Sequence, residues 1–408
     1  MTTFHFEGLP WPLRIMQTPL RETARRFFAL WPHQCSGTEE GPPVAVAPGG
    51  YRWSLGDRCV CEPTEAAFLC SLSIEMVLAC CAARPDLLRL HAAAVAGHGR
   101  GLLLCGGHQA GKSVLTARLT ADGWTGYGDD MVAVTRGGNL FSFGIAPRLR
   151  LPLPPSAVLR SFVLARRGCG DASAVYLDAA RSGTAAWGKE HPLHAVVVLR
   201  RVSSGPARLR TLEASEGTTA LLRRSLFDAG QADATLQAAC DLTERVPCVQ
   251  LSYADADRAA QRLTLWARQG LPLTLPTACA PRAGEAGARP EPDRDLADSA
   301  EPSRRFLRQA AGIAFRRVGL EGYLTDARGT ALYRLTPLGC ALWRMLEQPL
   351  SEAQAAALLD EAYPHVGRRR IARDVRGLFD ALRARGLTVP ADDEGEARAS
   401  GRDMTAAE

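Results

Sequence analysis

The segment Gly106-Gly107-His108-Gln109-Ala110-Gly111-Lys112-Ser113 fits the pattern G-x-x-x-x-G-K-[ST]. In such a segment the backbone N–H groups of a glycine-rich loop surround the phosphates of a nucleotide. The start of the following helix adds its partial positive charge. We expect Lys112 to reach the β- and γ-phosphates and Ser113 to hold Mg²⁺. The alternative is a glycine-rich turn that happens to precede a helix.

Lysine is rare in this chain. Of 49 basic residues two are lysine, Lys112 and Lys189, and all the others are arginine. A compact ammonium enters a phosphate loop more readily than a broad, planar guanidinium does, so lysine at position 112 supports phosphate binding. The net charge of +6 is mild for 408 residues and does not by itself indicate nucleic-acid binding. We assign no role to Lys189.

Two adjacent carboxylates follow the loop. Asp129 lies 17 residues after Lys112, and Asp130 comes next, directly before an apolar run. Beside a nucleotide, one carboxylate can take a hydroxyl proton while the other helps to hold a metal ion. In isolation the same residues would predict a solvated Gly-Asp-Asp turn. A histidine, His91, lies 15 residues before Gly106, and the sequence alone does not rank it above its neighbours His98 and His108.

The surrounding pattern supplies the elements that would position these side chains. An apolar run at 101–105 predicts a buried strand before the loop, and residues 113–121 predict a helix that ends at Gly123. The mixture of elements indicates an α/β layered domain. Further predictions are a hairpin (131–135 with 140–143), a strand (195–199) and helices at 68–83, 221–243 and 255–268.

Composition divides the chain. It is 46% hydrophobic and 23% charged, as in ordinary globular proteins. We predict a domain over 1–275, a flexible linker rich in Pro, Gly and charge over 276–306, a second domain over 307–390 and a disordered polar tail over 391–408.

Twelve cysteines include no C-x-x-C pair, so we interpret most as buried apolar residues of a reduced cytoplasmic protein. No apolar run approaches the roughly 20 residues that span a bilayer, and we expect no membrane association.

Taken together, the histidine before a small-residue strand, the phosphate loop and the Asp-Asp pair resemble the HPr serine kinase family over about 85–270. The resemblance implies a P-loop domain with a mixed sheet that uses ATP and Mg²⁺. It assigns the general base to Asp129, with His91 close to it, and phosphate and metal binding to Lys112 and Ser113. Asp130 would be a metal ligand or a supporting carboxylate. The chain has Gln109 where the family usually has glycine, and it lacks the glycine-rich signature linked to phosphorolysis.

The C-terminal block combines a short sheet with three helices. Strands are predicted at 314–318, 322–325 and 330–335. Thr336-Pro337 would start one helix, and a capping box at Ser351 the next. This set predicts a small winged-helix-like module. Such modules most often bind DNA, and Arg368-Arg369-Arg370 could face phosphates. The run is weak evidence in a chain whose basic residues are nearly all arginine, so we do not expect nucleic-acid binding.

This block resembles the PqqD family over about 310–388, through Gly322-Tyr323-Leu324, the strand 333–336, the helix 339–343 and Asp374-Val375. The resemblance implies a chaperone for ribosomally made peptides that adds the precursor's leader as a strand to a sheet edge. Leader contacts are then expected from strand 330–335 and the following helix, at Tyr333, Leu335 and Leu338.

The two blocks together suggest an ATP-dependent kinase that phosphorylates a serine or threonine of a ribosomally made precursor peptide. Two alternatives stay open. One is a non-catalytic adaptor that senses nucleotide and presents a peptide, and the other is a nucleotide-responsive DNA-binding regulator. The family resemblance also suggests a homo-oligomer.

Overall fold

The computed structural model describes residues 2–37, 43–47, 50–55, 58–270 and 305–391. The chain divides into two compact units, Met1–Leu226 with Ala238–Cys279, and Phe227–Gln237 with Ala280–Glu408. The predicted linker and tail lie almost wholly outside the described residues. At their edges, Phe306 and Ala391 belong to strands.

The first unit begins with a six-stranded sheet in the order β3-β1-β2-β4-β5-β6. All its pairs are antiparallel except β2 with β4. Its strands are β1 (Thr2–Phe6), β2 (Leu13–Ile15), β3 (His33–Ser36), β4 (Pro43–Ala47), β5 (Gly50–Leu55) and β6 (Arg58–Glu62).

A nine-stranded mixed sheet carries the phosphate loop. Seven of its strands follow the order β10-β8-β9-β16-β12-β11-β7, and β18 pairs with both β16 and β17. At its centre β9 and β18 run parallel to β16. The strands are β7 (Leu87–Leu90), β8 (Ala93–Gly97), β9 (Arg100–Cys105), β10 (Thr125–Gly128), β11 (Val132–Thr135), β12 (Asn139–Phe141), β16 (Glu190–Arg201), β17 (Arg208–Thr211) and β18 (Cys248–Tyr253). A separate three-stranded sheet holds β13 (Arg148–Arg150), β14 (Arg167–Gly170) and β15 (Ala174–Leu177).

Strand β9 is buried on both faces, as its unbroken apolar run predicts. Leu102 and Leu104 join one hydrophobic cluster, whereas Leu103 and Cys105 join another on the opposite side. This alternation follows from the two-residue repeat of a strand. Because both faces of the strand are packed, its carboxyl end is a rigid base for the loop that follows.

The part of the chain that the structure describes contains ten helices. They are α1 (Thr18–Phe27), α2 (Glu65–Ala82), α3 (Lys112–Ala121), α4 (Ala157–Ala165), α5 (Ala214–Leu222), α6 (Ala232–Arg245), α7 (Ala256–Arg268), α8 (Pro337–Met345), α9 (Glu352–Ala362) and α10 (Arg368–Ala384). The predicted α/β architecture and the helices at 68–83, 113–121 and 255–268 are confirmed. The Asp255 side chain caps α7 by accepting a hydrogen bond from the Arg258 N–H.

The helix predicted over 221–243 was wrong. Helix α5 ends at Leu222 and α6 begins at Ala232, and the residues between them are not helical. Residues 224–226 instead follow the end of β7, where Ser225 forms a β-bridge with Leu90. Pairing with the strand therefore overrode the local helix propensity.

Helix α2 is long and apolar enough to cross a membrane by length and composition, which the sequence reading had not expected. Half of it is buried in the first unit, where residues such as Phe68, Leu72 and Met76 belong to a hydrophobic cluster with β1 and β2. The core helix of a globular unit passes the same test.

The second unit contains two three-stranded sheets and helices α8, α9 and α10. The sheets are ordered β20-β21-β22 and β23-β19-β24. Their strands are β19 (Phe306–Gln309), β20 (Ala314–Val318), β21 (Glu321–Thr325), β22 (Leu332–Leu335), β23 (Leu350–Ser351) and β24 (Thr388–Ala391). The predicted caps are confirmed: Thr336 accepts from the Gly339 N–H, and Ser351 forms a capping box with Gln354.

All eleven cysteines among the described residues are free thiols. Seven are buried, which confirms the prediction for most of them, whereas Cys35, Cys59 and Cys61 are exposed. Cys59 and Cys61 lie on β6, at the edge of the first sheet.

Candidate active site

The segment 106–113 forms a tight loop between the end of β9 and the start of α3. Gly111 precedes the helix with a φ of +90°, and a Cβ at this position would lie 2.4 Å from the Tyr253 hydroxyl oxygen. Gln109 also has a positive φ, +61°. Only glycine tolerates both the conformation and the close contact at position 111.

Tyr253, at the end of β18, holds this loop in place through a hydrogen bond. Its buried hydroxyl donates a hydrogen bond of 2.6 Å to the carbonyl oxygen of Ala110. Burial raises the pKa of Tyr253 to about 12, so the hydroxyl keeps its proton and remains a donor. Nothing in the sequence pointed to this residue.

The loop offers backbone donors to a ligand. Among the described residues, the N–H groups of Gly111, Lys112 and Ser113 have no hydrogen-bond acceptor, whereas the Ala110 N–H donates to Gly107 O over 3.2 Å. Free N–H groups at the start of a helix of this length suit an anion. The remaining predicted loop residue, His108, is exposed, with its ring nitrogen 3.2 Å from the Arg150 guanidinium.

The ammonium of Lys112 is buried within this loop. Its Nζ donates to the carbonyl oxygens of Gly106 (3.3 Å) and Gly107 (3.5 Å) and lies 3.3 Å from His91 Nε2. Burial lowers the pKa of Lys112, an effect that Asp130 and Asp129 partly offset. The lysine ammonium is therefore held in the loop by long hydrogen bonds to neutral acceptors. The oxygens of a bound phosphate can replace these acceptors.

His91 lies at the end of β7 and contacts the lysine rather than the predicted base. The ring hydrogen-bonds to the backbone of Asp130, and burial together with the nearby Lys112 charge lowers the pKa of His91. Since Lys112 can only donate, His91 Nε2 must be the acceptor, which makes the imidazole neutral with its proton on Nδ1. The sequence predicts that His91 adjusts Asp129, whereas in the structure His91 contacts Lys112 and the Asp130 backbone.

Asp129 is the most strongly perturbed acid of the site. It is buried, and its Oδ2 accepts a hydrogen bond from the Arg148 backbone N–H over 3.3 Å, while its Oδ1 has no partner among the described residues. The nearby Ser113 hydroxyl favours the charged form of the carboxylate. Burial first, and the adjacent Asp130 second, raise the pKa of Asp129 to about 7. A carboxylate with such a pKa near neutral pH is suited to accept a proton.

Asp130 completes the carboxylate pair in a turn with a φ of +63°, in the left-handed region that aspartate tolerates better than most residues. It is half-buried and favours the charged forms of both Lys112 and His91. The structure thus brings together Ser113, Lys112, His91, Asp129 and Asp130, the predicted loop, base and metal residues.

These side chains offer hard oxygen ligands to Mg²⁺. The Ser113 hydroxyl and the half-buried Asp130 carboxylate are oxygen donors of the kind that Mg²⁺ prefers, and Asp130 is close enough to the phosphate loop to act on the Lys112 charge. Across the described ranges, no group of three or more His, Cys, Asp and Glu side chains could hold a metal by itself. Binding through one or two protein oxygens together with a nucleotide's phosphates matches this arrangement.

A small cavity adjoins the carboxylate pair. It is lined by residues of α2, by the Asp-Asp turn and by two residues that the sequence reading missed, Arg148 and Tyr176. The other lining residues are Cys70, Ser73, Ile74, Val77, Met131, Ile145 and Ala146. Arg148 is half-buried at this cavity, and Asp130 and Asp129 contribute to raising its pKa. A reactant beside Asp129 would thus meet a mainly apolar wall and one cation.

In the second unit, the three residues predicted for leader binding differ in exposure. Tyr333, on the edge strand β22, is half-buried, with the Arg385 guanidinium 5.7 Å from its ring centroid. Leu338, at the start of α8, is also half-buried. Leu335 is buried in the unit's hydrophobic core, so its backbone is at the sheet edge while its side chain serves packing.

The arginine run at the start of α10 is exposed, but two of its members face carboxylates. Arg368 lies 3.9 Å from Asp360, and Arg370 lies 4.0 Å from Asp374. These carboxylates weaken the positive field that a phosphate backbone would meet.

Two comparisons with known proteins bear on the two units. Residues 321–387 match the family model described as Coenzyme PQQ synthesis protein D (PqqD). The C-terminal resemblance is thereby confirmed over those residues. A solved structure, the Hpr(Ser) kinase/phosphatase from Coxiella burnetii, is similar to 44% of this chain and 88% of its own, with 12% identity and a TM-score of 0.24. It carries the family name that the N-terminal residues suggested. A search of curated proteins finds no match.

At that TM-score the solved structure adds no weight to a functional argument. The features of the first unit that indicate chemistry are the loop, its buried lysine and the carboxylate beside Ser113. Two residues of that geometry, Arg148 and Tyr253, carried no local signal, because arginine is abundant in this chain and an isolated tyrosine belongs to no pattern.

Proposed function

We propose that this chain is an ATP-dependent kinase that transfers a phosphoryl group to a serine or threonine of a ribosomally made precursor peptide. The observation that carries the proposal is the buried carboxylate of Asp129 beside the phosphate loop, where the Ser113 hydroxyl and the Lys112 ammonium both favour its charged form. Its Oδ1 has no hydrogen-bond partner among the described residues, and burial raises the pKa of Asp129 to about 7. A binding site for nucleotide alone has no need of a buried base beside the phosphates.

The roles follow from the contacts. The loop N–H groups and Lys112 would bind the phosphates, and Asp129 would accept the proton of the attacking hydroxyl. His91 holds the Lys112 ammonium in place as a neutral acceptor. Bound Mg²⁺, which Ser113 and Asp130 would hold, would neutralise charge on the phosphate oxygens. The cavity beside Asp129 is the natural place for the acceptor side chain, because its mainly apolar lining would exclude water that competes for the phosphoryl group.

The peptide partner is inferred from the second unit. The match to PqqD and the sheet edge at β22 support capture of a leader segment as an added strand, with Tyr333 and Leu338 as side-chain contacts. The same proposal includes a winged-helix-like arrangement of the second unit. It also includes the cytoplasm as the cellular compartment of the protein. Holding the leader would raise the effective concentration of the acceptor at the first unit.

The direct test is incubation of the full chain with γ-labelled ATP and the precursor peptide encoded nearest to its gene, followed by mass spectrometry. We expect label on a serine or threonine of the peptide and none with Asp129→Asn. Binding of both ligands without any transfer would instead favour the adaptor. Strongly salt-dependent binding of duplex DNA, with no peptide binding, would favour the regulator.

A further inference from the structure

A second cation, Arg224, faces the phosphate loop. It lies in the non-helical segment between α5 and α6, where the sequence predicts a continuous helix. Arg224 follows the end of α5, and its N–H donates to Leu221 O over 2.8 Å. Its carbonyl oxygen accepts from the His91 N–H over 2.7 Å, and two residues later the Leu226 N–H donates to Arg89 O over 3.0 Å. The backbone of Arg224 is therefore held against the strand that carries His91.

The side chain of Arg224 points to the loop. A Cβ added at Gly107 would lie 3.7 Å from Arg224 Nη2. The positive charge of Arg224 also acts on two groups of the site, because it lowers the pKa of both Lys112 and His91. The guanidinium therefore lies at the mouth of the phosphate loop, close enough for its charge to act on both groups.

This guanidinium has no anionic partner in the part of the chain that the structure describes. Within the described ranges, the Arg224 side chain forms no ion pair and no hydrogen bond. Arg118 of the same unit shows the usual arrangement, since its buried guanidinium pairs with both Asp122 and Asp257. A half-buried arginine that faces a lysine without a carboxylate of its own is unfavourable, unless an anion binds between the two cations.

The terminal phosphate of ATP is an anion that can bind between the Lys112 ammonium and the Arg224 guanidinium. Lys112 supplies a single point charge, whereas the planar guanidinium can donate two parallel hydrogen bonds to phosphate oxygens. ADP, whose last phosphate ends one position earlier, would leave this second position empty.

We infer that Arg224 binds the γ-phosphate of ATP together with Lys112 and stabilises it during transfer. The inference rests on the proposed kinase function. In the reaction the acceptor hydroxyl oxygen forms a bond to the γ-phosphorus. The bond from that phosphorus to the β–γ bridging oxygen breaks, its electron pair leaves with ADP, and the hydroxyl proton passes to Asp129. Arg224 compensates the charge on the equatorial oxygens and is a catalytic residue by contact with the reacting group.

The test compares ATP with ADP. Calorimetric affinities for the Mg²⁺ complexes of both nucleotides are measured on the full chain, for wild type, Arg224→Gln and Arg224→Lys. The control is Arg223→Gln, which changes an exposed arginine at the preceding position. We expect Arg224→Gln to weaken ATP binding about 10- to 100-fold and ADP binding less than about threefold, with partial recovery in Arg224→Lys.

Transfer to the peptide provides the second readout. Arg224→Gln should lower kcat by at least about 10³ at saturating ATP, while Arg223→Gln should leave it unchanged. An unaltered ATP-to-ADP affinity ratio in a folded Arg224→Gln protein would overturn the inference and leave the kinase proposal intact. Absence of nucleotide binding by wild type would overturn the kinase proposal itself, and this assignment with it.

Discussion

The Nζ atom of Lys112 lies 3.3 Å from Nε2 of His91. This contact ties the phosphate loop to the residue that follows β7, and it requires a neutral imidazole. Burial lowers the pKa of His91, which favours the neutral imidazole whose Nε2 can accept from the Lys112 ammonium. The lysine is in place before a phosphate arrives, which reduces the entropy lost on binding.

Replacement of the loop lysine should abolish function while the fold persists. Lys112→Met removes the only ammonium in the described part of this site, and we expect ATP affinity to fall by at least about 100-fold and peptide phosphorylation to disappear. Lys189→Met, at the exposed second lysine, is the matched control and should behave as wild type. Unchanged phosphorylation by Lys112→Met would contradict the role of the loop.

Replacement of the proposed base should separate binding from chemistry. In Asp129→Asn the amide keeps the shape of the carboxyl group but cannot accept the hydroxyl proton. We expect nucleotide affinity within about threefold of wild type and a kcat lower by at least about 10². Single-turnover phosphorylation is the appropriate measurement, because it excludes slow product release. Full activity in this variant would remove Asp129 from the mechanism.

The raised pKa of Asp129 also predicts how stability depends on pH. The buried group holds its proton up to a pKa of about 7, whereas in the unfolded chain it ionises near its ordinary value of 3.8. The folded state therefore binds more protons between these values, and its stability falls as pH rises from about 4 to about 7, by at most about 4 kcal/mol from this group. Asp129→Asn should lose this contribution to the pH dependence. Urea unfolding of wild type and variant at pH 5 and pH 8 tests the prediction, and an identical pH dependence in both would refute it.

The place of His91 gives a prediction that distinguishes its two candidate roles. His91→Gln weakens the support of Lys112, so we expect ATP affinity to fall several-fold. The acid side of the kcat–pH profile, which reports Asp129 near pH 7, should stay where it is. A shift of that side by one pH unit would mean that His91 acts on Asp129 after all.

The variant Tyr253→Phe tests whether the Tyr253 hydroxyl stabilises the phosphate loop through its hydrogen bond to Ala110 O. This change leaves the Ala110 carbonyl without its 2.6 Å donor, and we expect a loss of about 1–3 kcal/mol in unfolding free energy together with weaker ATP binding. Tyr127→Phe is a suitable control, since Tyr127 is also buried but its hydroxyl makes no hydrogen bond among the described residues. Equal losses in both variants would show that the Tyr253 hydroxyl has no special role.

The sequence by itself determined the phosphate loop, its flanking strand and helix, and the helix caps at Thr336 and Ser351. These features depend on residues close together in the chain, where a glycine, a capping side chain or an apolar run acts directly on the local backbone. The adjacent carboxylates were recognised for the same reason.

Only the tertiary structure decided which distant groups meet. His91 contacts Lys112 and not Asp129. Tyr253, on another strand, donates a hydrogen bond to the phosphate loop. Residues 224–226 pair with β7 instead of extending a helix. Each outcome depends on contacts between segments far apart in sequence, whose burial and hydrogen bonding outweigh local propensity. Arg224 shows the consequence most clearly: within the sequence it is one arginine among many, and only the folded backbone brings its charge to the phosphate loop.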